Sequence, residues 1–339
     1  MEYQAVRTWR KRHQRVSYHE VNVETLQVET YPPFDLFIKI EDRMTAFRPA
    51  GALFDSRQRQ VLTVPQIQGV CIAASDCPRY QEYVEQNLRA IMARESLPLQ
   101  DRVAILYQVA TGLIDAVFAH PPQAPIIQRA ARMAGHVVSF LQEIPAALRE
   151  LLAVAAYDYS TAAHAMNVCF LSVALGQRAG ITERQALDDL SVGALLHDIG
   201  QTRISRRILQ KRGPLTTAEY DLIKKAPWWG VEILAQSDTV RPEAFIPVQQ
   251  HRERMDGSGY PVGLRGDDIH RYGRICGIVE AYDAITTRHV YRDAIDGFPA
   301  LITMRSEAEK FDPVLLETFI RLLRKQEAPA DSTMAARVD

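Results

Sequence analysis

The sequence predicts a mainly α-helical protein preceded by a small α+β module. Three observations carry that expectation. From about residue 97 onward, apolar residues recur at helical spacing, as at Leu106, Val109, Leu113 and Val117. Before about residue 95 the apolar runs are short and β-prone. In the second half, Thr182 with Gln185 and Thr216 with Glu219 have the capping-box pattern that opens helices.

The elements follow in order. Tyr31-Pro32-Pro33 breaks the chain, and Phe34 to Ile40 then alternates, with apolar residues at 34, 36, 38 and 40, as a half-buried strand would. Val61 to Val64 and Val70 to Ala73 are further strand candidates. Asp76 to Leu88 reads as a helix with Tyr80, Tyr83 and Val84 on one face. Residues 1–95 are therefore assigned to the α+β module. The helix through Leu106 and Val117 ends at His120-Pro121-Pro122, because proline disfavours helix just before itself. Ile126 to Leu141 is a second helix, closed before Pro145. The two together make residues 96–145 a helical linker. Residues 146–325 read as packed helices, with Gly213-Pro214 as the turn before the Thr216 box, and 326–339 as a polar, frayed tail.

A length of 339 residues suits two domains. With 47% hydrophobic and 24% charged residues, the composition excludes a collagen-like chain and argues against a disordered one. Forty basic and 41 acidic residues nearly cancel, which disfavours binding of long nucleic acids. Cys71, Cys77, Cys169 and Cys276 form no Cys-x-x-Cys pair and read as reduced, buried residues. The N-terminus lacks the apolar core of a signal peptide, and no uninterrupted run approaches the ~18 apolar residues of a membrane span. The expectation is a cytoplasmic protein. Trp228-Trp229 is read as core rather than as an exposed contact patch for a protein partner.

The chemistry concentrates in four places. His197-Asp198 ends the apolar stretch Val192 to Leu196, just before Ile199-Gly200. Burying an imidazole and a carboxylate there is costly unless both are paired or hold a metal. The bland alternative is a solvated pair at a helix end. His164 lies on an otherwise apolar helix, where it is either a satisfied core histidine or a ligand. Glu280 and Asp283 are three apart, hence on one helix face, among apolar neighbours. Histidine and carboxylate donors together suit iron, manganese, zinc or nickel rather than calcium. The fourth place is His251-Arg252-Glu253-Arg254-Met255-Asp256-Gly257-Ser258-Gly259-Tyr260-Pro261, whose tight turn holds an aromatic ring beside charged groups.

These residues resemble the HD-GYP family, a branch of the HD phosphohydrolase superfamily, over about residues 150–320. The matching pieces are His164-Ala165-Met166-Asn167-Val168, Leu195-Leu196-His197-Asp198-Ile199-Gly200, Asp256-Gly257-Ser258-Gly259-Tyr260-Pro261, Tyr282-Asp283-Ala284-Ile285-Thr286 and Phe311-Asp312-Pro313. Pro33 to Lys39 also looks like an N-terminal module often fused to such domains. The resemblance implies a helical domain with two or three metal ions, often iron or manganese, that hydrolyses cyclic di-GMP. It implies metal-ligand roles for His164, His197, Asp198 and His251, with His197 and Asp198 at the catalytic centre. It further implies that Tyr260 and Arg292 contact the nucleotide.

Five positions depart from the pattern. Gln201 stands where lysine is usual, and Ala226 where a metal-binding histidine is expected. Arg252 replaces the second histidine of a His-His-Glu phrase, and a guanidinium cannot ligate a metal. Glu280 replaces an aspartate, and His289 an arginine that the adjacent Arg288 could supply. His164, His197, Asp198 and Glu280 could still hold one ion. A second ion would sit beside Arg252, and two unit charges at about 4 Å repel by about 4 kcal/mol at an effective dielectric of about 20, twice that for a divalent ion. One ion rather than a two- or three-metal centre is therefore expected, and Arg252 could instead occupy the missing cation's place and hold a phosphate directly. Arg254, Arg288 and Arg292 are further candidate phosphate contacts. Two readings follow: a phosphodiesterase with a reduced metal site, weakly active if at all, or a non-catalytic module that binds the nucleotide or a protein.

Overall fold

The computed structural model describes residues 17–119, 123–155, 160–287 and 297–327. The chain divides into two compact units between Val109 and Ala110.

The first unit is built on four antiparallel strands, β1 (Tyr18–Val21), β2 (Leu36–Ile40), β3 (Arg43–Arg48) and β4 (Gly69–Ala73), in the order β1-β4-β2-β3. Glu41 and Asp42 both take positive φ (45° and 60°), which makes β2–β3 a two-residue hairpin. The expected strand is present, but its half-buried alternation is not. β2 lies between β3 and β4, so Leu36, Phe37 and Ile38 are all buried, with Phe37 against the ring of Tyr18. Val61 to Val64 is not a strand. Asp55 and Gln58 form a capping box that starts helix α1 (Ser56–Val61), and Val61 and Val64 face solvent. The local cap outweighs the β propensity of the valines. Helix α2 (Cys77–Met92) presents Tyr83, Val84, Leu88 and Ile91 to the core, where Phe34 meets Tyr80 and Tyr83 edge-on.

Helix α3 (Leu99–Ala119) contains the division between the units, beyond the expected boundary near residue 95. It is the one described helix long and apolar enough to cross a membrane, with mean hydropathy 1.4. It qualifies by length and composition only: polar residues interrupt it, so it contains no unbroken apolar run of that length. Its most apolar stretch is 44% buried within the protein.

The second unit is helical throughout its described residues. Helices α4 (Ala124–Glu143), α5 (Ala147–Ala155), α6 (Thr161–Arg178) and α7 (Arg184–Leu195) come first. After them come α8 (Arg206–Leu209), α9 (Thr217–Leu234), α10 (Phe245–Gln250), α11 (Arg271–Thr286), α12 (Gly297–Ser306) and α13 (Pro313–Glu327). α6 is the axis, buried from Ala162 to Gly176 apart from His164 and packed by α4, α5, α7, α11 and α13. An almost wholly apolar helix is stable only in such a central place. Since α4 packs on α6 and α7, part of the expected 96–145 linker belongs to this core.

The two capping-box patterns part company. Thr216 and Glu219 form theirs at the start of α9. Thr182 and Gln185 do not, because α7 begins at Arg184 with Glu183 at its N-cap. Gln185 donates instead to Asp189, one turn further on. Trp228 also departs from expectation, being 44% exposed on α9.

Candidate metal centre

His164 comes from the first turn of α6, which Ser160 caps through the amide of Ala163. His197 and Asp198 come from the turn after α7, where the chain tightens into the 3-10 segment Ile199–Arg203. Gly200 is required there, since a Cβ would collide with the Ala226 carbonyl of α9. His251 caps the C-terminus of α10, and Glu280 and Asp283 lie on α11. The fold thus brings together His164, His197, Asp198, His251 and Glu280, with Arg252 beside them.

Each of the three histidines is held by its Nδ1. His164 donates to Asp283 Oδ2 at 2.6 Å. His197 donates to the Ala194 carbonyl at 2.8 Å. His251 lies 3.0 Å from the carbonyls of Pro247 and Val248. These partners fix the tautomer, so each Nε2 carries a lone pair. The lone pairs converge on Asp198. His164 Nε2 and His197 Nε2 are 3.1 Å apart, and lie 3.8 and 3.4 Å from Asp198 Oδ2. Two imine nitrogens facing each other at that distance repel unless a cation or proton lies between them. Donor atoms about 2.1 Å from one ion at tetrahedral or octahedral angles lie about 3.0 to 3.4 Å apart. Two of the three separations fall in that range and the third, 3.8 Å, lies just beyond it, so the group could hold a divalent metal, with Asp283 orienting His164 as a carboxylate commonly orients a metal-ligating histidine.

The other side of Asp198 differs. Oδ1 lies 3.5 Å from His251 Nε2 and 3.9 Å from Arg252 Nη2. Arg252 Nη1 lies 2.7 Å from Glu280 Oε1, an ion pair whose alignment makes no hydrogen bond. Arg254 stands 3.6 Å from Glu280 Oε2 and donates to the carbonyls of His251 and Glu253. Glu280, expected to complete a ligand set with His164, His197 and Asp198, is instead the counter-ion of two arginines. Arg254, expected as an open phosphate contact, is committed to these internal partners.

The electrostatics follow from the geometry. Burial alone would push the Asp198 carboxyl up, but its contacts with His197 and His251 and the charge of Arg252 hold it well below the usual carboxylate range. Glu280 is likewise held below its ordinary value, against burial, by Arg252 and Arg254. Burial, with the nearby His197 and Arg252, depresses the basicity of His251. For His164 burial opposes protonation, yet the bond and charge of Asp283 raise it overall.

Tyr260 sits on a loop fastened by Glu253, whose buried carboxylate accepts from the amides of Val262, Gly263 and Leu264. Its own amide donates to the Arg252 carbonyl. A Cβ at Gly259 would collide with the backbone of residues 252–254, so the loop lies flat against the arginine segment. Ala226 is buried on α9 and offers no ligand atom, and Gln201 sits in the 3-10 segment, half-buried. Arg288, His289 and Arg292 lie outside the described residues. From sequence Glu253 has no assigned role, and Asp283 is only the companion of Glu280 on one helix face, outside the ligand set. The three-residue spacing of Glu280 and Asp283 was the available signal, but it does not say which of the two faces a histidine.

The helical bundle thus carries a His/Asp group that could hold a divalent metal, with a Gly-x-Gly-Tyr-Pro loop laid against the neighbouring arginine segment. Residues 128–315 match the HD domain family. The chain belongs to that family. It is 28% identical to the cyclic di-GMP phosphodiesterase PA4108 of Pseudomonas aeruginosa, over 64% of this chain and 53% of that protein. It is 34% identical to the 3'3'-cGAMP-specific phosphodiesterase 2 of Vibrio cholerae, over 50% of this chain and 32% of that protein. The chain thus spans about half the length of the first relative and about a third of the second. Its fold is similar to that of Bd1817, an HDG"Y"P protein from Bdellovibrio bacteriovorus, with a TM-score of 0.64, 22% identity, and coverage of 91% of this chain and all of that one.

Proposed function

We propose that this chain is a cytoplasmic cyclic dinucleotide signalling protein whose site holds one divalent ion, iron or manganese, on His164, His197 and Asp198. Arg252 stands in the second cation's place. The carrying observation is the position of Arg252, which reaches both Asp198 Oδ1 and Glu280. A carboxylate flanked on one oxygen by paired imidazoles and on the other by an imidazole and a guanidinium supports a centre with one metal and one built-in cation.

A divalent ion bound there would acidify a water and polarise a phosphoryl oxygen. The chain's own residues supply the rest. Asp198 stays ionised and Asp283 keeps His164 facing inward. Arg252 offers a planar fork that can take two phosphoryl oxygens. Turning toward a phosphate would cost it the Glu280 pair, so ligand binding and the ion pair compete. That competition, with Ala226 and Gln201 removing a ligand and a cation, favours weak hydrolysis or binding alone. Arg288 and Arg292 are proposed to add phosphate contacts, and a non-catalytic nucleotide-binding module is the second reading.

Metal analysis of the purified full chain tests the first statement. One equivalent of iron or manganese is expected, and two or more would overturn it. An anaerobic assay with cyclic di-GMP and the metal-loaded protein then separates the readings. Turnover abolished in Asp198→Ala excludes the non-catalytic module, whereas tight binding without product supports it.

A further inference from the structure

Helix α9 packs against the 3-10 segment that follows Asp198 and carries a row of side chains that the proposed reading leaves without a role. Its backbone lies directly against Gly200, two residues after Asp198. Tyr220, 45% exposed, meets Tyr260 edge-on, with ring centroids 6.2 Å apart and planes at 77°. One turn along, Lys224 holds its Nζ 5.2 Å from the Tyr220 ring centre, braced by Asp221 at 2.7 Å. Another turn along, Trp228 is exposed. Tyr, Lys and Trp at i, i+4 and i+8 form one stripe.

Large aromatic side chains are most stable when packed. Tyr220 remains nearly half exposed, yet it touches the one aromatic of the fastened loop. Two rings at nearly right angles form a corner that presents a face and an edge to a flat ring entering from solvent. A lysine over the same corner gives an electron-rich heterocycle or its phosphate a cation within reach. Proteins that hold bases of any sequence use this combination of stacking surface and nearby positive charge.

We propose that Tyr220 and Tyr260 form a base-binding corner, with Lys224 as its cationic edge, that takes one purine of a cyclic dinucleotide whose phosphates lie toward Arg252 and Asp198. The assignment rests on the cyclic dinucleotide reading above. It adds Tyr220 and Lys224 as ligand-contacting residues supplied by α9.

The test is equilibrium binding of cyclic di-GMP to the manganese-loaded full chain, with metal content measured on the same samples. Tyr220→Ala should bind about five- to a hundredfold more weakly, the range that a lost stacking surface produces. Tyr220→Phe should bind as the unaltered protein does, because the ring face and not the hydroxyl is used. Lys224→Ala should weaken binding less, and mainly at low salt. Metal content should be unchanged in all three. Equal binding by Tyr220→Ala, an equal loss in Tyr220→Phe, or a metal loss in Tyr220→Ala would each overturn the corner while leaving the cyclic dinucleotide reading intact. An unaltered protein that retains metal but binds no cyclic dinucleotide overturns the reading and the corner with it.

Discussion

The two oxygens of Asp198 face different chemistries within one site. On the Oδ2 side, the Nε2 atoms of His164 and His197 face each other and need a cation or a proton between them. On the Oδ1 side, His251 shares the space with Arg252, and the cation is covalently part of the chain. One side depends on metal supply and the other does not. A guanidinium also cannot acidify a water as a metal ion does, so the built-in cation retains charge balance and phosphate affinity while giving up nucleophile generation.

The largest effects should fall on the carboxylate common to both sides. Asp198→Ala should abolish metal retention after gel filtration, as measured by elemental analysis, because it removes one of three ligands. If the variant kept a full equivalent, the Oδ2 side would not be the metal side. Next in size is Asp283→Asn. It should weaken metal affinity about tenfold to a hundredfold, the usual cost of losing the group that orients a ligating histidine. A competition titration with a chelator measures this. Asp283 also accepts from Asn167 and Thr287, so the metal-free variant should lose about 1 to 3 kcal/mol of stability, read by urea unfolding. Unchanged metal affinity would show that Asp283 does not orient a ligand.

How much of this was legible in the sequence depended on whether the signal was local. His197-Asp198 next to Gly200, and His164 on an apolar helix, announced ligands because burying such groups has few other solutions. The tight turn at Gly259-Tyr260-Pro261 likewise announced a fixed ring. The pairing of Glu280 was not legible, since it depends on the rotation of α11 and on an arginine almost thirty residues earlier. The same rotation chose Asp283 as the partner of His164. Thr182 and Thr216 carry one pattern, yet only Thr216 caps, because helix α7 starts one residue later than the pattern requires. Val61 to Val64 misled for the opposite reason, as the Asp55 and Gln58 cap just upstream decided the local structure.

The smallest expected effects concern the built-in cation, and they are the sharpest check on it. Arg252→Met keeps much of the side chain's bulk but leaves the buried Glu280 carboxylate with Arg254 alone, at 3.6 Å. Stranding a buried charge outright costs about 3 to 5 kcal/mol. With Arg254 still present and Arg252 about a quarter exposed, the loss should be nearer 2 kcal/mol. Urea unfolding followed by tryptophan fluorescence measures it, since Trp228 and Trp229 lie in the same unit. Adding Glu280→Gln to Arg252→Met should return most of the loss, because the neutral amide no longer needs a counter-ion. The pH dependence has a definite sign. Glu280 is held below its ordinary value of about 4.3 in the folded protein, so its contribution is present above that pH and is lost as the pH falls through the depressed value. In Arg252→Met burial should raise that carboxyl, and protonation then relieves the stranded charge. The gap between the variant and the unaltered protein should therefore be widest near neutrality and narrow on acidification toward pH ~4. A gap independent of pH would mean that Arg252 contributes by packing alone, and the second cation's place would then be held by bulk rather than by charge.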